Sequence, residues 1–84
     1  MSIPVARALL DTANGLLMTG VNSVVVNDQP IAVKTTTVDA GGFDVIVASG
    51  NVFAGSDQTG VAREGDPMSN GVLIASGSSD VKAN

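Results

Sequence analysis

Three segments of this chain open alike. Pro4-Val5-Ala6-Arg7 begins one, Pro30-Ile31-Ala32-Val33 a second, and Val61-Ala62-Arg63 a third. Seven residues after Arg7 stands Asn14-Gly15, and Asn70-Gly71 lies the same distance after Arg63. Farther on, Val24 and Asn27 keep the spacing from Gly20 that Val81 and Asn84 keep from Gly77. One residue of slack between the Asn-Gly pair and the later glycine reconciles the first and third units. The middle unit is looser. It runs through Asp39-Ala40-Gly41-Gly42 to the string V-I-V-A-S-G at 45–50, which nearly repeats V-L-I-A-S-G at 72–77. The period is therefore about 26 to 30 residues, in the range of repeated supersecondary units that hide an apolar face only by packing on one another.

The third unit shows the element most clearly. A Gly65-Asp66-Pro67 turn, the Asn70-Gly71 pair, the apolar run Val72–Ala75 and a Ser76-Gly77-Ser78 turn read as two short extended segments folded back on each other. The other units are likewise short, rich in β-branched residues and bounded by Gly, Asn, Asp and Ser. Ala6–Ala13 contains good helix formers. Its counterpart in the third unit holds Gly65 and Pro67, so one helical turn is the most to expect there. The expected fold is a single all-β domain over residues 1–84, with units at about 4–27, 30–55 and 59–84. Short hairpins with pseudo-threefold repetition would form a small cone or pyramid.

At 84 residues with 44% hydrophobic content, mostly Val and Ala, the chain can build only a small core. Such a core supplies roughly 3–5 kcal/mol, and domains this small usually add a disulfide, a metal or a partner. There is no Cys and no His, which excludes a disulfide and an ordinary zinc site. A partner surface is the remaining source of stability. The net charge of −4 suits solubility, and the four cations (Arg7, Lys34, Arg63, Lys82) stand singly, so no basic stripe exists for nucleic acid. No apolar run approaches the length of a membrane span. Pro4 and Arg7 make the N-terminus a poor signal peptide, which points to an intracellularly made protein.

With the units laid out, the chain resembles the PAAR-repeat proteins, pointed caps on the central spikes of contractile injection machines. Arg63-Glu64-Gly65-Asp66-Pro67 is similar to the family's opening string, and Gly77-Ser78-Ser79-Asp80-Val81-Lys82-Ala83-Asn84 to its later strand. The stretch Gly20–Val33 is similar to the join between repeats, with Asn27 and Pro30 in register. The resemblance implies a β-hairpin cone seated as a monomer on a homotrimeric β-helical spike, where near-equivalent contacts serve three identical partners. Its implied role is mechanical: it sharpens a needle that meets a host envelope transiently, at the tip of a phage tail baseplate in a virion. A bacterial type VI secretion cap is the alternative, and the lack of an appended toxin domain leans toward the phage. A small ligand-binding β module and an enzyme are readings from other classes.

The family commonly holds a metal near its apex through histidines and a cysteine. The usual histidine position falls here on Asn14 and Asn70, so the apex is expected to lack zinc, with hydrogen bonds in place of coordination. Pro4, Arg7, Pro30, Val33 and Arg63 are the candidates for docking or for joining the repeats. Arg7 and Arg63 read either as solubilising edge charges or as salt bridges to the spike or between units. Phe43 and Phe53 are expected in the core, or else docked on the trimer. Val24–Val26 is expected to be covered, because an exposed run of this kind invites aggregation. Asp11-Thr12-Ala13 faintly resembles an aspartic-protease Asp-Thr-Gly, but the glycine is missing. Asp28, Asp39, Asp44, Asp57, Glu64, Asp66 and Asp80 are expected in solvated turns. No cofactor is expected, and no set of nucleophile and base is available.

Overall fold

The computed structural model describes residues 2–55 and 58–84, and among them there is no helix. The described residues form eight short strands in chain order: β1 Ile3–Pro4, β2 Thr12–Ala13, β3 Gly15–Leu16, β4 Val21–Val26, β5 Gln29–Ile31, β6 Phe53–Ala54, β7 Thr59–Gly60 and β8 Lys82–Ala83. They pair antiparallel as β1–β8, β2–β3, β4–β5 and β6–β7. The fold is all-β. The longest strand, β4, carries the sequence V-N-S-V-V-V, whose β-branched residues favour the pleat. It turns back into β5 through Asn27 and Asp28, both at positive φ (52° and 68°), the geometry of a two-residue type I′ hairpin.

The three look-alike openings meet at one axis. The N–H of Ala6 donates to the carbonyl of Ala62 at 2.9 Å, that of Ala62 to Ala32 at 2.9 Å, and that of Ala32 to Ala6 at 3.1 Å. The ring of donors and acceptors closes on itself. Bridges run the same way round: Val5 with Arg63, Arg7 with Ile31, Val33 with Val61. One turn farther out, Ala8 donates to Pro30, Lys34 to Gly60 and Glu64 to Pro4, at 2.8, 2.8 and 2.9 Å. Pro4 and Pro30 thus lend their carbonyls to a neighbouring unit, a task that needs no N–H of their own. Side chains at the axis must be small. All three alanines are fully buried.

Strand alternation sorts the core into two layers. Val5, Ile31 and Val61 point into one, with Val33, Val26, Ala54 and Ala83. Ala6, Ala32 and Ala62 point into the other, with Leu17, Val45, Ile74 and Met68. The second layer fixes the repeat register. The N–H groups of Leu17, Val45 and Ile74 donate to the carbonyls of Asp11, Thr37 and Asp66 at 2.9, 3.2 and 2.9 Å. Val45 is therefore equivalent to Ile74, two residues from the Val72 that the matching V-x-x-A-S-G strings suggest. A two-residue slip keeps every side chain on its own face, so the apolar pattern alone does not reveal it.

Several expectations are corrected. The helical turn allowed over Ala6–Ala13 does not form: Leu9 has φ +64°, which ends any helix, and Thr35 (+69°) and Gly65 (+89°) turn the chain at the equivalent places. Phe43 and Phe53 are not core; they are 37% and 49% exposed. The layers close around an alanine axis with Leu, Ile, Met and Val, which leaves no ring-sized space inside. Of the Val24–Val26 run, Val26 is buried and Val24 half-buried, but Val25 is 58% exposed, because alternate residues of β4 face outward. The body measures 25 × 24 × 22 Å, nearly as tall as it is broad.

Candidate functional site: the two ends of the threefold axis

One end is formed by the turns after β2, after Asp39 and after Met68. Each passes through a glycine at positive φ: Gly15 (+82°), Gly42 (+88°) and Gly71 (+91°). Asn14 and Asn70, 56 residues apart in sequence, meet there side chain to side chain. The Asn14 Nδ2 donates to Asn70 Oδ1 at 3.0 Å, and the Asn70 Nδ2 donates to Asn14 Oδ1 at 3.1 Å. The third unit-equivalent contribution is backbone: the Gly41 N–H donates to the Asn14 carbonyl at 3.1 Å. A Cβ on Gly41 would lie 3.1 Å from the Asn14 Cβ and 3.2 Å from the Phe43 ring, so two amides fill the space and a third side chain would crowd them.

Beneath the clasp lies Asp39, expected in a solvated turn but buried. Its Oδ2 accepts from the Asn14 backbone N–H (3.1 Å) and Nδ2 (2.8 Å), and its Oδ1 from Gly41 and Phe43, both at 3.0 Å. Loss of water pushes the carboxyl pKa up, but these donors outweigh it and hold the group below its ordinary value. The zinc site implied by the family resemblance does not fit this donor set. The two amides satisfy each other, the carboxylate is spent on N–H groups, and a neutral amide is a poor zinc ligand. Among the described residues no three His, Cys, Asp or Glu side chains converge.

The arginine side chains are not free edge charges: each is ion-paired within its own unit, while the backbones of Arg7 and Arg63 bridge to Ile31 and Val5 of neighbouring units. Arg7 donates from its backbone N–H and Nε to Asp11 Oδ2, each at 2.8 Å, and from Nη2 to Oδ1 at 3.0 Å. Arg63 makes the same three bonds to Asp66, at 2.8, 3.0 and 2.8 Å. In the middle unit Val33 has no charge, and Thr37 Oγ1 accepts its N–H at 2.8 Å. Asp11 and Asp66 are thus buried structural acceptors. For Asp11, burial raises the pKa, and the bonds from Arg7 and from Ser76 Oγ (2.7 Å) more than reverse it. That geometry leaves no free carboxylate for acid–base chemistry at Asp11-Thr12-Ala13.

Polar residues beyond the candidate list complete the frame. Ser49 Oγ accepts from Asn51 and Val52, and Ser78 Oγ from Asp80 and Val81, at 3.0 to 3.1 Å. These are Ser-turns in equivalent places; the Ala48-Ser49 and Gly77-Ser78 pairs are their sequence signal. Ser78 also donates to Asn27 Oδ1 (2.6 Å), which takes a second bond from Arg7 Nη1 (3.0 Å). Among the described residues every buried side-chain nitrogen and oxygen is paired.

The opposite end is made of three strand pairs in matched register: Val25 with Pro30, Phe53 with Gly60, Lys82 with Pro4. One step on, Val26, Ala54 and Ala83 plug the interior. Two corners are hairpins. The third, β1–β8, joins the beginning and end of the chain. Val25 and Phe53 face outward at equivalent positions, and Val52 and Val81 are exposed beside them. Asp57, expected in a solvated turn, lies outside the described residues. No helix among the described residues is long and apolar enough to cross a membrane. No protein-family profile matches the chain, and no curated protein is significantly similar to it.

Proposed function

We propose that the chain is a structural cap, the tip of the central spike of a contractile injection machine, seated on a trimeric β-helical spike and without catalysis of its own. The observation that carries this reading is the closed hydrogen-bond ring of Ala6, Ala32 and Ala62. One polypeptide with three equivalent sectors is what a threefold-symmetric pedestal accepts: each identical protomer meets a near-identical sector.

The strand-paired end is the docking end in this proposal. Its corners place Val25, Phe53 and the Lys82 stem at equivalent positions, so a single receiving site, repeated three times, would have to accept all of them. The amide-clasped end then points away, toward the envelope. Its turns are short and its two amides and Asp39 are already paired, which favours stiffness over chemistry.

The test is to co-express the chain with a trimeric β-helical spike protein from the same source and record native mass spectra. A complex of one cap with three spike chains is expected. Free cap and free trimer side by side at micromolar concentration would sink the proposal.

A further inference from the structure

Two Asn-Gly pairs meet at the clasped end, and Asn-Gly is the dipeptide in which an asparagine most readily loses its amide. Glycine leaves its own nitrogen unhindered. That nitrogen attacks the asparagine Cγ, a Gly N–Cγ bond forms, and the Cγ–Nδ2 bond breaks with release of ammonia, which takes up the proton of the attacking amide. Water then opens the cyclic imide. Attack at Cγ returns aspartate; attack at the former backbone carbonyl leaves isoaspartate, with the chain routed through the side chain.

The two pairs are not placed alike. Asn70 is exposed and Asn14 half-buried. The Asn70 Oδ1 also accepts from the Val72 N–H at 3.3 Å, as in an Asx-turn, and the Gly71 N–H, which donates to the Met68 carbonyl at 2.9 Å, has only that one bond to release before it attacks. A Cβ built on Gly71 would meet nothing within 4 Å, so the cyclic imide has room there. At Gly15 the same Cβ would lie 2.9 Å from the Ala40 Cβ. The Asn14 Nδ2, the leaving group, is held by Asp39 at 2.8 Å and by Asn70 at 3.0 Å.

We propose that Asn70 is a deamidation site and that Asn14 is protected by its bonds to Asp39 and to the side chain at position 70. A carboxylate at position 70 has no proton to donate to the Asn14 Oδ1, so the bond now at 3.1 Å is lost. The Asn14 Nδ2 keeps its bond to Asp39 and still donates to the new carboxylate, now with a charged acceptor. Conversion of Asn70 to aspartate therefore leaves Asn14 held.

The experiment uses the full chain in mildly alkaline buffer, native and in urea, with peptide mapping for aspartate and isoaspartate at both positions. In urea the two pairs react alike. In the native chain Asn70 reacts first, and Asn14 is slowed by about tenfold or more, the rate equivalent of one net hydrogen bond. In Asn70→Asp the native Asn14 rate stays low, because the carboxylate still accepts from its Nδ2. In Asn70→Ala, which can neither donate nor accept there, the native Asn14 rate rises while the circular dichroism stays native. Should that variant not fold, Asn70→Ser, which also removes the amide, makes the same comparison. Three results would each overturn the proposal: no product at Asn70 in the native chain, Asn14 reacting first, or an Asn14 rate no higher once the amide at 70 is removed.

Discussion

The hydroxyl of Thr37 accepts the N–H of Val33 at 2.8 Å, and so does with a neutral group what Asp11 does for Arg7 and Asp66 for Arg63. All three bonds tie the residue after an axis alanine to the turn that follows it. The repeat is kept in the backbone while its side-chain chemistry changes from ion pair to hydroxyl. Thr37 is fully buried, so Thr37→Val, nearly the same in shape, leaves an N–H without a partner. The expected cost is about 1–3 kcal/mol, read as a lower urea midpoint with an unchanged slope.

Acid should act through Asp11 and Asp39. Both have folded-state pKa values lowered below their unfolded ones. Their contribution is therefore fully present above the unfolded carboxylate pKa of about 3.9 and is lost as pH falls through the folded values. Stability from these two groups is expected to be level from neutral pH down to about pH 5 and to decline below about pH 4. The check is urea unfolding across that range, with Asp39→Asn as the comparison. A variant whose acid limb is as steep as the parent's would remove Asp39 from the account.

The alanine axis leaves no space for growth. Ala62→Leu adds carbons where three backbones hydrogen-bond around a buried point. Overpacking of this kind typically costs about 1–3 kcal/mol, a large share of what so small a core supplies. Loss of cooperative thermal unfolding is the expected outcome. Ala75→Leu, at an exposed place off the axis, should be milder.

Thr35 is a β-branched residue at φ +69°, where its equivalent in the third unit is Gly65 at +89°. A left-handed conformation costs a non-glycine residue about 1–2 kcal/mol, part of which glycine returns as unfolded-state entropy. Thr35→Gly is expected to stabilise the chain by about 0.5–1 kcal/mol. Gly65→Ala should shift the midpoint the other way by a similar amount.

Much of this architecture is legible along the chain. The recurring V-A-R and I-A-V openings locate the axis, because three copies of one short element need a common core. The Asn-Gly spacing brings Asn14 and Asn70 to one end for the same reason. The buried Asp11, Asp39 and Asp66 are not legible, since an aspartate beside turn residues looks the same whether water or backbone N–H groups satisfy it. The exposure of Phe43 and Phe53 is hidden too: a ring is apolar in any sequence, and only the space left by its neighbours decides where it goes.

By itself, then, the sequence determined the β character, the threefold repetition and the want of cysteine and histidine, because these follow from local propensity, spacing and composition. The tertiary structure alone decided the repeat register, the partners of the arginines and the pairing of the two amides. Those depend on which groups lie within hydrogen-bond reach after the chain has closed on itself, and residues 56 positions apart have no local means of knowing it.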